Sequence, residues 1–217
     1  MDFQFNAPEF VRNLGVFSGQ KLKRVPHNDT LAYLCCRLSP EELHGMRVYM
    51  VRSLIRSRAL DGARLLGKWW MIVIDGTGLI TYERQHCPHC LTKTTGGKTI
   101  WYHNVLEAKL VTPDGFAISV ETEFIENEGG AAVGKQDCEL KAFFRLAPRL
   151  KKDFPQLPIC LIGDSLYACA PVFDIARENH WHFIITFKKG SIPTLFSEFE
   201  KRMRAAAGTG FGARMNQ

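Results

Sequence analysis

The spacing of hydrophobic residues changes once along the chain, and that change divides it into two regions. Up to about Lys68 the apolar positions recur at helical intervals. The clearest start signal is Ser39-Pro40-Glu41-Glu42, which sets a capping Ser, a Pro at the first helical position and a Glu at the third against the unpaired amides of a helix start. Leu43, Met46, Met50, Val51, Leu54 and Ile55 then follow at a period of about 3.6 residues and predict a packing face. Arg47, Arg52, Arg56 and Arg58 fall at other positions around the same helix and read either as a solvated face or as contacts to DNA. Asp61-Gly62 breaks the pattern, so a helical, basic N-terminal region is assigned to residues 1–66.

Beyond it the period shortens. Residues 69–74 form a continuous apolar run rich in strand formers, closed by Asp75-Gly76-Thr77-Gly78, and predict a buried strand that delivers Asp75 at its C-terminal edge. Residues 101–111 and 116–125 flank the turn signal Thr112-Pro113-Asp114-Gly115 and predict a hairpin. Leu140, Phe143, Phe144, Ala147 and Leu150 repeat at helical spacing within 137–150. A second short apolar strand at 157–162 ends on Gly163-Asp164, and a helical stretch over 166–178, a fifth strand at 181–187 and a helix at 193–204 complete the order. Three early strands followed by strands alternating with helices predict an α/β core over 67–204, a mixed sheet with flanking helices. Periodicity is absent over 205–217, which is expected to be an irregular tail.

Composition narrows the function classes. At 217 residues, 46% hydrophobic and 23% charged, the chain matches a globular protein and not a disordered, collagen-like or coiled-coil one. Its longest apolar run, 69–74, falls far short of the roughly 20 residues of a membrane span, and the N-terminus lacks a charged-then-apolar leader. The expectation is a cytoplasmic protein without membrane contact. Seven dispersed cysteines, an odd number, point to a reducing compartment and not to a disulfide scaffold. The net charge of +6 is unevenly placed: residues 1–70 carry eleven Lys/Arg against six Asp/Glu, and the remainder is nearly balanced. Such a surplus suits a phosphate backbone.

Asp75 and Asp164 each follow an apolar strand, so adjacent strands would bring both carboxylates to one site. Carboxylate pairs hold Mg²⁺, and two ions about 3.5–4 Å apart serve phosphoryl transfer. The alternative is that each Asp only caps the turn that follows. Gly163-Asp164-Ser165-Leu166 also spells the motif of the GDSL esterases, but no Asp-x-x-His follows it, and His180 and His182 are unplaced as bases. Ile74-Asp75-Gly76-Thr77 matches half of a haloacid-dehalogenase-like phosphatase motif, with Val73 where the nucleophile would stand. His86-Cys87-Pro88-His89-Cys90 contains one Cys-x-x-Cys, and Cys87 and Cys90 with His103 or a flanking His make a candidate zinc site; the alternative is reduced thiols in a loop. Cys35, Cys36, Cys138, Cys160 and Cys169 read as small core residues.

Five segments together resemble the DDE transposases of bacterial insertion sequences. They are Ile74-Asp75-Gly76-Thr77-Gly78, Tyr102-His103-Asn104-Val105-Leu106-Glu107-Ala108-Lys109, Lys135-Gln136-Asp137-Cys138-Glu139, Gly163-Asp164-Ser165-Leu166-Tyr167-Ala168 and Phe183-Ile184-Ile185-Thr186-Phe187-Lys188. The resemblance spans about residues 60–199 and implies a ribonuclease-H-like core, with Asp75 and Asp164 as catalytic ligands of two Mg²⁺ ions. It further implies cleavage and strand transfer at transposon-end DNA, self-association or pairing with full-length transposase, and phosphate contacts by Lys188 and Lys189. The family's third acid is a Glu on a helix well beyond the fifth strand. Glu198 and Glu200 follow that strand too closely and lack the accompanying Tyr and Arg pattern, so the expectation is a C-terminally truncated chain with an incomplete metal site. A catalytically inactive DNA-binding remnant is the competing expectation.

Overall fold

The computed structural model describes residues 7–127, 135–188, 190 and 192–208; Lys189 and the stretch 209–217 of the expected tail lie outside the described residues. The chain divides into two units, one up to Met46 and one from Arg47. The first contains α1 (Pro8–Ser18), α2 (Asn28–Cys35) and the start of α3 (Pro40–Arg56). The predicted cap of α3 is present as a reciprocal pair: Glu42 N donates to Ser39 Oγ at 3.1 Å and Ser39 N to Glu42 Oε2 at 3.0 Å.

The predicted packing face of α3 is only partly right. Val48 and Val51 are the buried residues, with Ile55 packed beside them, while Leu43, Met46 and Met50 are exposed. Arginines select that face. Arg47 bonds Glu121 at 2.7 Å and Thr122 Oγ1 at 2.7 Å, and Arg52 donates to the Asp153 carbonyl at 3.0 Å through Nε. These two are structural ties within the fold. The helix therefore joins the second unit ten residues before its end and well ahead of the expected boundary at residue 66.

The second unit is a mixed six-stranded sheet with helices. Its strands are β1 (Trp70–Tyr82), β2 (Leu91–Thr95), β3 (Lys98–Val111), β4 (Ala117–Ile125), β5 (Ile159–Gly163) and β6 (His182–Ile185), in the order β2-β3-β1-β5-β6 with β4 also on β3. β3 accepts both because it is long: β2 covers its residues 98–102 and β4 its residues 104–111. β1 runs antiparallel to β3 and parallel to β5, and β5 parallel to β6.

Two sheet features depart from the expectations. β1 does not stop at Asp75: it continues through Gly76-Thr77-Gly78 to Tyr82 because β3 supplies a partner along it, whereas its pairing with β5 ends at Val73–Ile162. β2 is a strand for which the sequence pattern makes no prediction. Its hairpin turn is Gly96-Gly97, with φ of 59° and 77°, the left-handed pair that a two-residue turn between twisted strands requires.

Helix α4 (Glu139–Asp153) packs on the sheet through Ala142, Phe143, Leu146, Ala147 and Leu150, against a core that includes Ile72, Ile74, Leu106, Ala108, Leu110 and Val120. Phe144, expected in that stripe, lies outside it. Arg145 and Arg149 flank the apolar contact and bond acids of β4: Arg145 to Glu123 at 2.6 Å, Arg149 to Glu123 at 2.8 Å and to the fully buried Glu121 at 3.0 Å. After β5 come a 3-10 turn (Ser165–Tyr167), α5 (Ala170–Glu178) and, beyond β6, α6 (Pro193–Gly208), which continues four residues past its predicted end into the expected tail. No described helix is long and apolar enough to cross a membrane. Leu146 is fully buried at the centre of the α4 contact. Leu146→Ala is expected to lower the free energy of unfolding by about 2–5 kcal/mol, read as a reduced denaturant midpoint at unchanged slope.

Candidate metal centres

Asp75 and Asp164 stand on neighbouring strands. Continuing the parallel register Trp70–Ile159 to Val73–Ile162 by two residues sets Asp75 beside Asp164, just past the point where β5 ends. Both are exposed. The Asp75 side chain makes no hydrogen bond or ion pair among the described residues, while one oxygen of Asp164 accepts from Leu166 N at 2.8 Å and caps the 3-10 turn. The capping alternative is thus true of Asp164, and it occupies a single oxygen of the carboxylate.

A third carboxylate faces the pair. Glu139 occupies the first turn of α4, and its carboxyl lies where a side chain on Gly76 would be: a Cβ built at Gly76 overlaps the Glu139 carboxyl. Tyr167 OH donates to Glu139 Oε2 at 3.5 Å, from the turn that begins with Asp164. Burial raises the Glu139 pKa above its usual value, and the charges of Asp75 and Asp164 raise it further, against the lowering effect of the Tyr167 bond. Tyr167, buried beside the same three acids, has its own pKa pushed far up, chiefly by burial. Glu139 closes the Lys135-Gln136-Asp137-Cys138-Glu139 segment, whose sequence assigned it no role. A Glu three residues into a predicted helix and a Gly directly after a strand Asp were the available signals.

That segment is held from several sides. Gln136 pairs with β2, accepting from Thr92 N at 2.6 Å and donating to Thr92 O at 2.9 Å. Asp137 binds Arg145 at 2.7 Å and accepts from Glu126 N at 3.2 Å, and its own amide donates to Asn127 Oδ1 at 3.2 Å. Burial opposes the Asp137 anion, but the Arg145 and backbone hydrogen bonds prevail and hold its carboxyl below the usual range. Of the other chemical candidates, Glu107 lies opposite Asp75 on β3 but accepts from Ser119 Oγ at 2.9 Å and Thr122 Oγ1 at 2.6 Å. Glu198 and Glu200 form ion pairs with Arg202 and Arg204 one helical turn along α6.

The second donor set is the Cys-x-x-Cys cluster. Cys87 Sγ and Cys90 Sγ are 3.6 Å apart and lie 3.3 and 3.4 Å from His103 Nε2, so these three atoms form a group able to hold a metal ion. His89 is directed elsewhere, its Nδ1 at 3.0 Å from the Asn127 carbonyl, and His86 stacks on Tyr82. Burial raises the Cys87 thiol. It would raise the buried Cys90 as well, but backbone hydrogen bonds from Cys87 and His86 bring that thiol below its usual value. Cys160 is buried as expected, whereas Cys35, Cys36 and Cys138 are exposed and Cys169 is half-buried.

Because folded Glu139 holds its proton more tightly than the unfolded chain does, stability falls as pH rises from about the usual Glu value of 4.5 through the raised one. Asp137 acts in the opposite direction, contributing stability above its usual 3.8 that is lost as pH falls through the depressed value. Glu139→Gln is expected to remove the upper slope from a plot of unfolding free energy against pH, and an unchanged slope would contradict the arrangement. Gly76→Ala is expected to diminish the same slope with little change in denaturant midpoint, because the flexible end of Glu139 swings away from the new methyl. Comparison with known proteins adds no relative: no family model, no curated protein and no solved structure matches this chain.

Proposed function

We propose that this chain is the DNA-processing core of a DDE-type transposase, of the kind carried by bacterial insertion sequences, with a ribonuclease-H-like sheet and a Mg²⁺ centre at Asp75 and Asp164. The observation that carries the reading is the parallel register of β1 and β5, which sets the two aspartates side by side with Glu139 facing them. The strand order supports it: antiparallel strands on one side of β1 and parallel strands on the other, with the acids where the two arrangements meet. The donor set fits Mg²⁺, being all carboxylate oxygen, and the repulsion from Asp75 and Asp164, which adds to burial in raising Glu139, is what a divalent cation would relieve.

Asp75 and the free oxygen of Asp164 would hold Mg²⁺, which when bound would supply charge neutralisation for the attacking and leaving oxygens of a phosphodiester. Glu139 contributes the third acid from α4, a position different from the helix beyond the fifth strand that the resemblance implies. Tyr167 orients Glu139 from beneath. In this reading the partners are transposon-end DNA and another transposase copy, and the compartment is the cytoplasm. The reading without catalysis, a DNA-binding remnant, is favoured by α6, where Glu198 and Glu200 are engaged in surface ion pairs.

Supplied with Mg²⁺ and transposon-end duplex, the protein is expected to nick one strand, and Asp75→Ala or Asp164→Ala to reduce nicking at least about 100-fold, as the loss of several kcal/mol of charge stabilisation requires. Salt-sensitive DNA binding with no Mg²⁺-dependent nicking would instead establish the remnant. Esterase activity lost in Ser165→Ala and retained in Asp75→Ala would overturn both.

A further inference from the structure

Cys87, Cys90 and His103 belong to a part of the sheet that the carboxylate centre does not use. The β2–β3 register Leu91–Tyr102 places Cys90 directly before β2 and His103 directly after Tyr102, so Cys90 and His103 are neighbours across the strand pair. Cys87 returns over them because Cys90 N bonds Cys87 O at 3.5 Å, the tight turn that Cys-Pro-His-Cys makes. Both thiols are free.

Their separations are those of ligands around one ion. Zinc bonds of about 2.3 Å to sulfur and about 2.05 Å to imidazole nitrogen, in a tetrahedron, put two sulfurs about 3.8 Å apart and each sulfur about 3.6 Å from the nitrogen. The observed 3.6, 3.3 and 3.4 Å lie just below those values, so a small opening of this triangle is all that separates it from a filled site. Donor chemistry selects the metal: two thiolates and an imidazole suit Zn²⁺ and reject Mg²⁺ and Ca²⁺, which take oxygen. A redox pair fits less well, since Cys90 is buried and Cys87 is only half-exposed, which leaves an attacking partner little access.

We propose that the chain binds one Zn²⁺ through Cys87 Sγ, Cys90 Sγ and His103 Nε2. Binding releases the two thiol protons to water and leaves the oxidation state of every atom unchanged. The ion acts as a clip. It fastens the β1–β2 connection to β3, and the clipped turn is joined to the segment that carries Glu139: Asn127 donates through Nδ2 to Cys90 O at 3.0 Å and through its amide to His89 O at 3.1 Å, while its Oδ1 accepts from Asp137 N. The zinc site stands on its own donors and does not depend on the carboxylate centre being catalytic.

The test is metal analysis of the full chain, purified with zinc present and passed through a desalting column, followed by chelation and reconstitution with Co²⁺. About one equivalent of zinc, a sulfur-to-cobalt charge-transfer band and the visible bands of a tetrahedral site are expected. Cys87→Ser, Cys90→Ser and His103→Ala should each lose the bound zinc and the intense visible bands, and Cys36→Ser, an exposed cysteine on α2's C-terminal side, should keep both. Cys90 is buried, so the reconstitution of wild-type protein provides a readout that does not require a variant to fold. A wild-type protein without stoichiometric zinc and without a charge-transfer band on Co²⁺ addition would overturn the proposal, as would zinc retained in full by Cys87→Ser. Loss of DNA nicking alone would bear on the carboxylate centre and not on this site.

Discussion

The placement of helix α4 on the sheet is the constraint from which the candidate centre follows. Its apolar stripe gives the helix a reason to pack, and Arg145 and Arg149, reaching Glu121 and Glu123 on β4, give it a position and an axial rotation. Apolar contact alone tolerates sliding, because dispersion and water release carry no direction; charged arginine hydrogen bonds do not. With the helix fixed, its first turn must come down over Gly76, and only a residue without a side chain leaves room for Glu139 there. Bringing three acids together raises their electrostatic energy, and the packed core elsewhere on α4, with its flanking ion pairs, sustains that cost. Charge repulsion at one end of the helix and charge pairing along its flank are therefore parts of one arrangement.

Backbone register sets the other half of the centre. Parallel pairing of β1 with β5 leaves no freedom in where Asp164 falls relative to Asp75, since a slip of one residue would turn every side chain to the other face. The antiparallel partner β3 carries β1 past the end of β5, which is how Asp75 comes to lie within a strand and still at an open edge.

Much of this was legible in the chain itself, and the exceptions have physical causes. The capping box at Ser39, the helix carrying Phe143 and Leu150, and the apolar strands leading into Asp75 and Asp164 are local signals, each complete within a few residues. What escaped was decided by distant partners. Asp75-Gly76-Thr77-Gly78 has the composition of a turn and became strand because a fourteen-residue neighbour paired with it. The inward face of α3 went to Val48 and Val51 over the larger Met46 and Met50, because Arg47 had acceptors on β4 and Arg52 one at the end of α4. Glu139 was the hardest case: its distance from Asp75 along the chain says nothing about where α4 lands. Cys87, Cys90 and His103 were easier, since the thiols share one turn and one strand pairing brings in the imidazole.

The stretch of β1 beyond β5 carries one more consequence. From Gly76 to Tyr82 this strand pairs with β3 and, among the described residues, with no strand on its opposite side. A bare border of amides and carbonyls is an invitation to fibril-like stacking of copies. The register shift between Gly78 and Ile80 breaks the even spacing of that border, so a second molecule laid alongside would fall out of step within a few residues. The irregularity beside the acids thus helps keep the molecules from zipping together.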